Sequence, residues 1–430
     1  RAILALTTNG GGPAHINMFT AYSQNFSVKS FKAARKIELH TPFDESWPQL
    51  PQGRIAIFIG AHQPFSGKAT KVIDNFCSVH DAVVFTSHIS GYQGKYKVNY
   101  SLVSGNGGYQ SDCKKIDLLI HLGEITGNTY SVSGKETWRV SEDGKPRDLF
   151  NNLTHVFQMP PQVFFEHYAT GEGNHTEYLK ACKADIDKLT SLIPELPFGN
   201  IWMAQHMISH LPVGCEFHMG ILNSMRSWNF FQLPKGIYAR TNVGGYGIDG
   251  GISTMIGSSL VNPNKLFIGV FGDLAFFYDM NVLGNREVGN NVRIMLINNG
   301  MGAEFRNYGH PCYPYGPAAE KFMAAAGHYG NKSPQLVKHY AQDLGYEYLT
   351  ASDKESFLKA MPKFVDPVIG DKPMVFEIFT DRQNESDALE IILNLVKPTL
   401  KQNAIKEGKK IVKKVVGESV IHSAKKLLGK

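Results

Sequence analysis

The chain has 430 residues, 43% of them hydrophobic and 19% charged, and a formal net charge of +6 at pH 7. That length allows two to three domains with full cores, and no apolar run approaches the roughly 18 residues that a membrane-spanning helix needs. The charge is mild for the size and gathers near the end of the chain, which argues against nucleic-acid binding. Five cysteines, Cys77, Cys113, Cys182, Cys215 and Cys312, are scattered, odd in number and without CxxC spacing. They argue against a disulfide framework or a cysteine zinc site, and for reduced thiols in a cytoplasm.

In chain order, residues after Met18 to about Leu50 read as a polar connector with a Pro-containing end. "RIAIFIGAH" from Arg54 and "KIDLLIHLGE" from Lys115 are apolar strands ending in Gly, with a helical pattern in "KATKVIDNFCSVH" between them. This alternation predicts a doubly wound domain, which with its linker spans residues 21–170. No GxGxxG follows either strand, and "SGNGGYQ" lacks the strand–helix context of a phosphate loop, so it reads as a surface loop.

From His167 to Leu196 the pattern is helical, and a second α/β domain is expected over 171–385. "IWMAQHMISHLP" is its first helix, and "CEFHMGILNSMRSW" a strand and turn into a helix. His218, in that strand, reads as structural. "HYAQDLGYEYLTASDKESFLKAM" and "MVFEIFTD" complete the domain by helix–strand alternation.

"KLFIGVF" before Gly272 and "VRIMLIN" before Asn299 are short, continuous apolar runs rich in β-branched residues, as expected of strands buried on both faces of a parallel sheet. "LAFFYDMNVLGNRE" between them has helical spacing, which makes a βαβ unit. Asp273 and Asn299 then stand at the carboxyl ends of two parallel strands, where open α/β sheets hold ligands, with the helix after Asp273 opening on the same crevice. A carboxylate, a carboxamide oxygen and a nearby carbonyl suit a hard divalent cation shared with a diphosphate, and Mg²⁺ is the expected ion. Either half alone also reads as an ordinary helix cap or turn; together, in this order, they form a specific signal.

The pair resembles the diphosphate-binding motif of thiamine-diphosphate enzymes, which runs from GD to NN. With "GGYGIDGGISTMIGSSL" and "GDLAFFYDMN" the chain is similar to the 2-oxoacid decarboxylase and carboligase superfamily (acetolactate synthase-like), and most of all to its menaquinone-pathway carboligases. The resemblance implies two doubly wound parallel-sheet domains, a central scaffold and a diphosphate domain. It implies thiamine diphosphate and Mg²⁺ as cofactors; no FAD is expected. By the match, Asp273, the Asn299 side chain and the Met301 carbonyl hold the metal. Ser224, Gly247, Ile248, Gly272, Leu274, Ala275 and Gly302 surround the cofactor, with Ile248 the bulky residue that bends it. Glu304, Phe305, His328 and Trp228 are expected near the reacting carbon.

"GGPAHIN" resembles the close of the family's pyrimidine-binding domain, so residues 1–20 are expected to be the end of that domain. The glutamate it carries in the family then lies outside this chain, which is expected to be inactive alone: a fragment, or half of a pair with another polypeptide. "LNSMRSW" is similar to the family's "GNSMxxR" element, but Trp228 stands where its arginine is expected, Arg226 lies two positions away, and Val243 replaces a second arginine. Arginine forks suit carboxylates, so their loss shifts the expected substrate from a doubly anionic acid to a small or neutral 2-oxoacid. A homodimer or homotetramer is implied. The other reading is a cofactor-binding subunit or degenerate relative that needs a partner chain. Residues 386–430, apolar at helical spacing with a lysine-rich face, read as a basic C-terminal helix that rests on a membrane surface or partner protein, or packs on its own domain.

Overall fold

A computed structural model describes residues 2–7, 10–17, 35–124 and 132–397. A short helix α1 (Ala2–Ala5) buries nothing. The first layer system contains β1 (Glu38–His40), β2 (Ile55–Ile59), α2 (Gly67–His80), β3 (Val83–Thr86), β4 (Lys97–Asn99), α3 (Ser101–Gly105), β5 (Ile116–Leu122), β6 (Gly134–Val140), β7 (Leu153–Phe157), α4 (Pro161–Tyr168) and α5 (Glu177–Thr190). The second contains α6 (Asn200–Met207), β8 (Glu216–Met219), α7 (Asn223–Asn229), β9 (Tyr238–Arg240), α8 (Gly251–Leu260), β10 (Phe267–Gly272), α9 (Asp273–Asp279), β11 (Val292–Asn298), α10 (Leu336–Asp343), β12 (Glu347–Ala351), α11 (Lys354–Phe364), β13 (Met374–Phe379) and α12 (Arg382–Leu393).

The strands form two sheets, ordered β1-β7-β6-β5-β2-β3-β4 and β12-β13-β11-β10-β8-β9. Every pairing between them is parallel. The protein is therefore α/β with two doubly wound sheets, as the strand–helix alternation predicts. All five residues of β2 are buried, as are the first six of β11, because helices cover both faces of each sheet. Each Val, Leu, Ile, Phe or Met side chain among them that moves out of water is worth roughly 1.5–3 kcal/mol. No helix among the described residues is long and apolar enough to cross a membrane. The five cysteines are all free thiols.

Polar contacts join the two systems. His88 N donates to Asn229 Oδ1 at 2.8 Å, and Asn99 Nδ2 donates to the Asn229 carbonyl at 2.8 Å. Asn106, fully buried, donates through Nδ2 to the carbonyls of Leu102 (2.8 Å) and Ile392 (2.9 Å) and accepts from Leu395 N at 2.9 Å. The "SGNGGYQ" stretch is thus not a surface loop throughout: Asn106 is buried where the chain past α12 closes over it, and Tyr109 is buried against α5, where it donates to Asp185.

Two further features differ from the expected boundaries. Helix α5 lies beyond residue 170 but docks on the first sheet, where Tyr178 donates to the Cys113 carbonyl at 2.7 Å and Asp185 accepts from Tyr100 at 2.7 Å and Tyr109 at 2.8 Å. Residue 386 falls inside α12, which starts at Arg382 because Asp381 caps it, accepting from Gln383 N at 2.7 Å. Ala388 and Ile392 then pack into the core. The lysine-rich stretch from 398 onward lies outside the described residues.

Candidate functional site

In the second sheet the chain leaves β8 towards β9 on one side and leaves β10 towards β11 on the other. The carboxyl ends of these adjacent strands are a topological switch point, the place where open α/β sheets bind ligands. The turn after β8 is strained: Leu222, which precedes α7, holds φ 68° and ψ −114°, a combination costly for a side chain with a Cβ. The turn after β11 needs Gly300 at φ 82°.

Asp273 opens α9 and is 2% exposed. Its Oδ1 accepts from Leu274 N at 2.8 Å, and its Oδ2 lies 3.0 Å from His328 Nε2. Asn299 follows β11, half-buried, with Oδ1 accepting from Met301 N at 3.3 Å. Strands β10 and β11 are neighbours paired through Gly272 and Ile297, so the two side chains flank one crevice end. The space over Gly272 is open, with no atom within 4 Å of where a side chain would begin. A backbone edge of this kind admits a bulky polar ligand beside Asp273.

Residues 324–332 fold across this mouth. Gly302 N donates to the Ala325 carbonyl at 2.7 Å, and Asn331 Nδ2 to the Gly300 carbonyl at 2.7 Å. The His328 ring packs tilted against Phe277 at 4.4 Å between centroids, and a side chain at Gly330 would lie 2.1 Å from that phenylalanine. His328 is therefore held, nearly buried, against Asp273 rather than in an open turn. Its Nδ1 has no hydrogen-bond partner among the described residues.

Gly247 and Ile248 lie in the turn before α8, Gly247 exposed and Ile248 half-buried. Asn242 Nδ2 steadies that turn by donating to the Gly250 carbonyl at 3.1 Å. Ser253 N, in the first turn of α8, donates to Asp279 Oδ2 at 2.7 Å and fastens it to the end of α9. Leu274 and Ala275 are half-buried on α9.

Glu304 is paired: Arg226 donates to its two oxygens at 2.8 and 2.9 Å, and Asn223 Oδ1 accepts from the same guanidinium at 2.9 Å. This fork ties the start of α7 to the turn after β11 and gives Arg226 a protein carboxylate as its partner. Phe305 is half-buried with its ring edge-on to His310. Ser224 is buried under Asn200, which approaches its Oγ at 3.4 Å.

Trp228 departs from the expected place near the reacting carbon. It is fully buried, donates from Nε1 to Asn200 Oδ1 at 3.0 Å and packs on Phe217. Its position on α7 turns it towards the sheet and α6, where a large apolar side chain fills core volume.

Two buried carboxylates escaped the sequence reading. Glu385 on α12 accepts from Asn200 N at 3.1 Å and Thr380 Oγ1 at 3.1 Å. Burial, with the charges of Asp273 and Asp381 adding, pushes its carboxyl up to about 7. Glu377 on β13 accepts from Asn298 Nδ2 at 2.7 Å and Tyr348 at 2.8 Å, and burial raises its carboxyl as well. A glutamate inside the apolar "MVFEIFTD" run was the one available signal. His218 is buried in β8, and burial with Arg240 nearby pushes its ring down to about 3, in keeping with a neutral, structural histidine.

At the carboxyl end of the first sheet, backbone groups meet each other: Glu124 N donates to the Ala61 carbonyl at 2.8 Å, and Ala61 N to the Glu124 carbonyl at 3.3 Å. A cleft of about 1190 Å³ lies beside them, lined by Arg139, Arg147 and Arg240 with Glu124 among them.

The fold defines an α/β protein of two parallel sheets, with a polar crevice at the carboxyl ends of β10 and β11 in the second. The chain is a homologue of the 2-succinyl-5-enolpyruvyl-6-hydroxy-3-cyclohexene-1-carboxylate synthases. It is 32% identical to the synthase of Bacteroides fragilis over 258 residues, which is 60% of this chain and 44% of that protein. To the synthase of Phocaeicola vulgatus it is 32% identical over 255 residues, 59% of this chain and 44% of that protein. With the synthase of Cytophaga hutchinsonii the match runs over 404 residues at 24% identity, 88% of this chain and 70% of the relative. Against the first two, the chain spans about half their length. No family model matches it.

Proposed function

We propose that this chain carries the diphosphate- and metal-binding part of a thiamine-diphosphate-dependent enzyme that acts on a 2-oxoacid, decarboxylating it with or without ligation to an acceptor. The observation that carries the reading is the placement of Asp273 and the Asn299–Gly302 turn at neighbouring carboxyl ends of β10 and β11. The residues fit the group: a buried carboxylate oxygen that meets an imidazole, a carboxamide at the end of the neighbouring strand and open space over Gly272. Asp273, the Asn299 side chain and the Met301 carbonyl would hold Mg²⁺.

When bound, the cofactor supplies the carbanion chemistry at the 2-oxo carbon. The chain's own residues orient and shield. Ile248 and the turn before α8 support the cofactor's middle, and His328 gives up Asp273 Oδ2 to the cation. Phe305 contributes an apolar wall. Glu304 holds Arg226, so the one arginine of α7 is not offered to a substrate carboxylate, which favours a small or neutral 2-oxoacid. The same reading makes the assembly a homodimer, a homotetramer or a pairing with a chain that carries the pyrimidine domain.

Calorimetric titration of thiamine diphosphate with Mg²⁺ tests the reading on this chain and on Asp273→Ala. Binding that requires Mg²⁺ and weakens on the order of 100-fold in the variant is expected. Absence of binding by this chain and also by a longer chain with the upstream sequence would overturn it.

A further inference from the structure

We propose that Glu38, His40 and His155 form a binding site for a divalent transition-metal ion, Zn²⁺ foremost, at the edge of the first sheet. Strand β1 is the edge strand and pairs in parallel with β7, Glu38 opposite His155 and His40 opposite Phe157. Side chains alternate along a strand, so Glu38, His40 and His155 share one face. Their donor atoms all lie within 4.8 Å of one another, the one such group of three among the described residues.

The distances suit an ion between them. His40 Nε2 and His155 Nδ1 are 2.9 Å apart, and Glu38 Oε2 is 4.0 Å from His155 Nδ1. Ligands held at about 2.0–2.1 Å in a tetrahedron lie roughly 3.4 Å from each other; the His40–His155 and Glu38–His155 spacings are within about half an ångström of that, and all three donor atoms lie within 4.8 Å of one another. Without an ion, the two imidazoles share one hydrogen bond.

A carboxylate stands near the other nitrogen of each ring. A metal-bound imidazole ordinarily turns its other nitrogen to a carboxylate, which fixes the ring and its tautomer. Here His40 Nδ1 lies 3.5 Å from Asp44 Oδ2, and His155 Nε2 lies 3.9 Å from Glu136 Oε1. Phe157 stacks on His40 and Trp138 meets His155 edge-on, so both rings are held by packing. Three carboxylates surround the pair, while the competing cation, Lys36, binds Glu38 through the other oxygen, Oε1, at 2.6 Å. Three protein ligands leave a fourth position for water.

The ion would join β1 to β7, which otherwise share three residue pairs, and so stabilise the sheet edge by mass action. The site is independent of the cofactor reading.

The test uses the untagged full chain, stripped with a chelator and titrated with Zn²⁺ by calorimetry, and with Co²⁺ followed by its visible absorption. One equivalent is expected, with the intense bands of tetrahedral Co²⁺ and a rise in Tm on adding Zn²⁺. His40→Ala and His155→Ala should each weaken binding by about 100-fold and remove the Tm rise. Each variant's unliganded Tm and circular dichroism report whether it has folded. No uptake and no Tm rise in the wild-type chain, which needs no variant to fold, would overturn the proposal. So would full Zn²⁺ binding retained in the doubly substituted chain.

Discussion

His328 Nε2 stands 3.0 Å from Asp273 Oδ2, with both side chains nearly buried and residues 324–332 folded across the crevice. The histidine holds the oxygen that a cation would use. His328→Ala is therefore expected to tighten Mg²⁺-dependent cofactor binding by about three- to tenfold, since a hydrogen bond of about 1 kcal/mol no longer competes. Calorimetry at fixed Mg²⁺ measures this, and weaker binding would show that His328 assists the ligand rather than opposing it.

Trp228 gives a second expectation. As a core residue it should cost about 3–5 kcal/mol when replaced by Ala, whereas a pocket-lining tryptophan would cost little stability. Trp228→Phe should fall between, because it preserves the packing on Phe217 but leaves Asn200 Oδ1 without its donor. Urea unfolding of the two variants separates the cases.

The Arg226–Glu304 fork is part-buried, at 17% and 22% side-chain exposure, and joins α7 to the turn after β11. A double-mutant cycle with Arg226→Ala and Glu304→Ala should give a coupling of about 1–2 kcal/mol, with the double variant more stable than the sum of the singles implies. Additive effects would mean that the pair contributes no coupling.

Glu385 makes stability depend on pH. Its folded carboxyl is raised to about 7, above the ordinary 4.5, mainly by burial, so the fold holds the proton more tightly than the unfolded chain does. Its contribution is fully present below the ordinary value and is lost as pH rises through about 7, by on the order of 3 kcal/mol. Glu385→Gln should flatten that part of the profile, as read from unfolding at about pH 5 and about pH 8. A wild-type slope unchanged in the variant would assign the effect to other groups.

The legible parts of this chain were those carried by local pattern. Strands buried on both faces leave unbroken apolar runs, which is why β2, β5, β10 and β11 stood out, and the spacing of α2 and the GD and NN signals lay within short windows. What escaped depends on partners far apart in the chain. Trp228 became core because Asn200 and Phe217 receive it, and Glu385 is buried because it accepts from a backbone amide 185 residues earlier. The same holds for His40 and His155, which meet only through the register of β1 on β7. Helix α5 reads as helical from sequence, but nothing local says which sheet it covers.

The amide of Asn106 has a further consequence for how the molecule is made. Its bonds to Ile392 and Leu395 span 286 and 289 residues, so the first sheet can form during synthesis while that amide still faces water. Closure of the joint waits until the segment after α12 has emerged from the ribosome, which makes the docking of the two halves a late event. A chain halted before residue 392 should still build its first sheet, yet would carry an open notch where the finished protein is sealed.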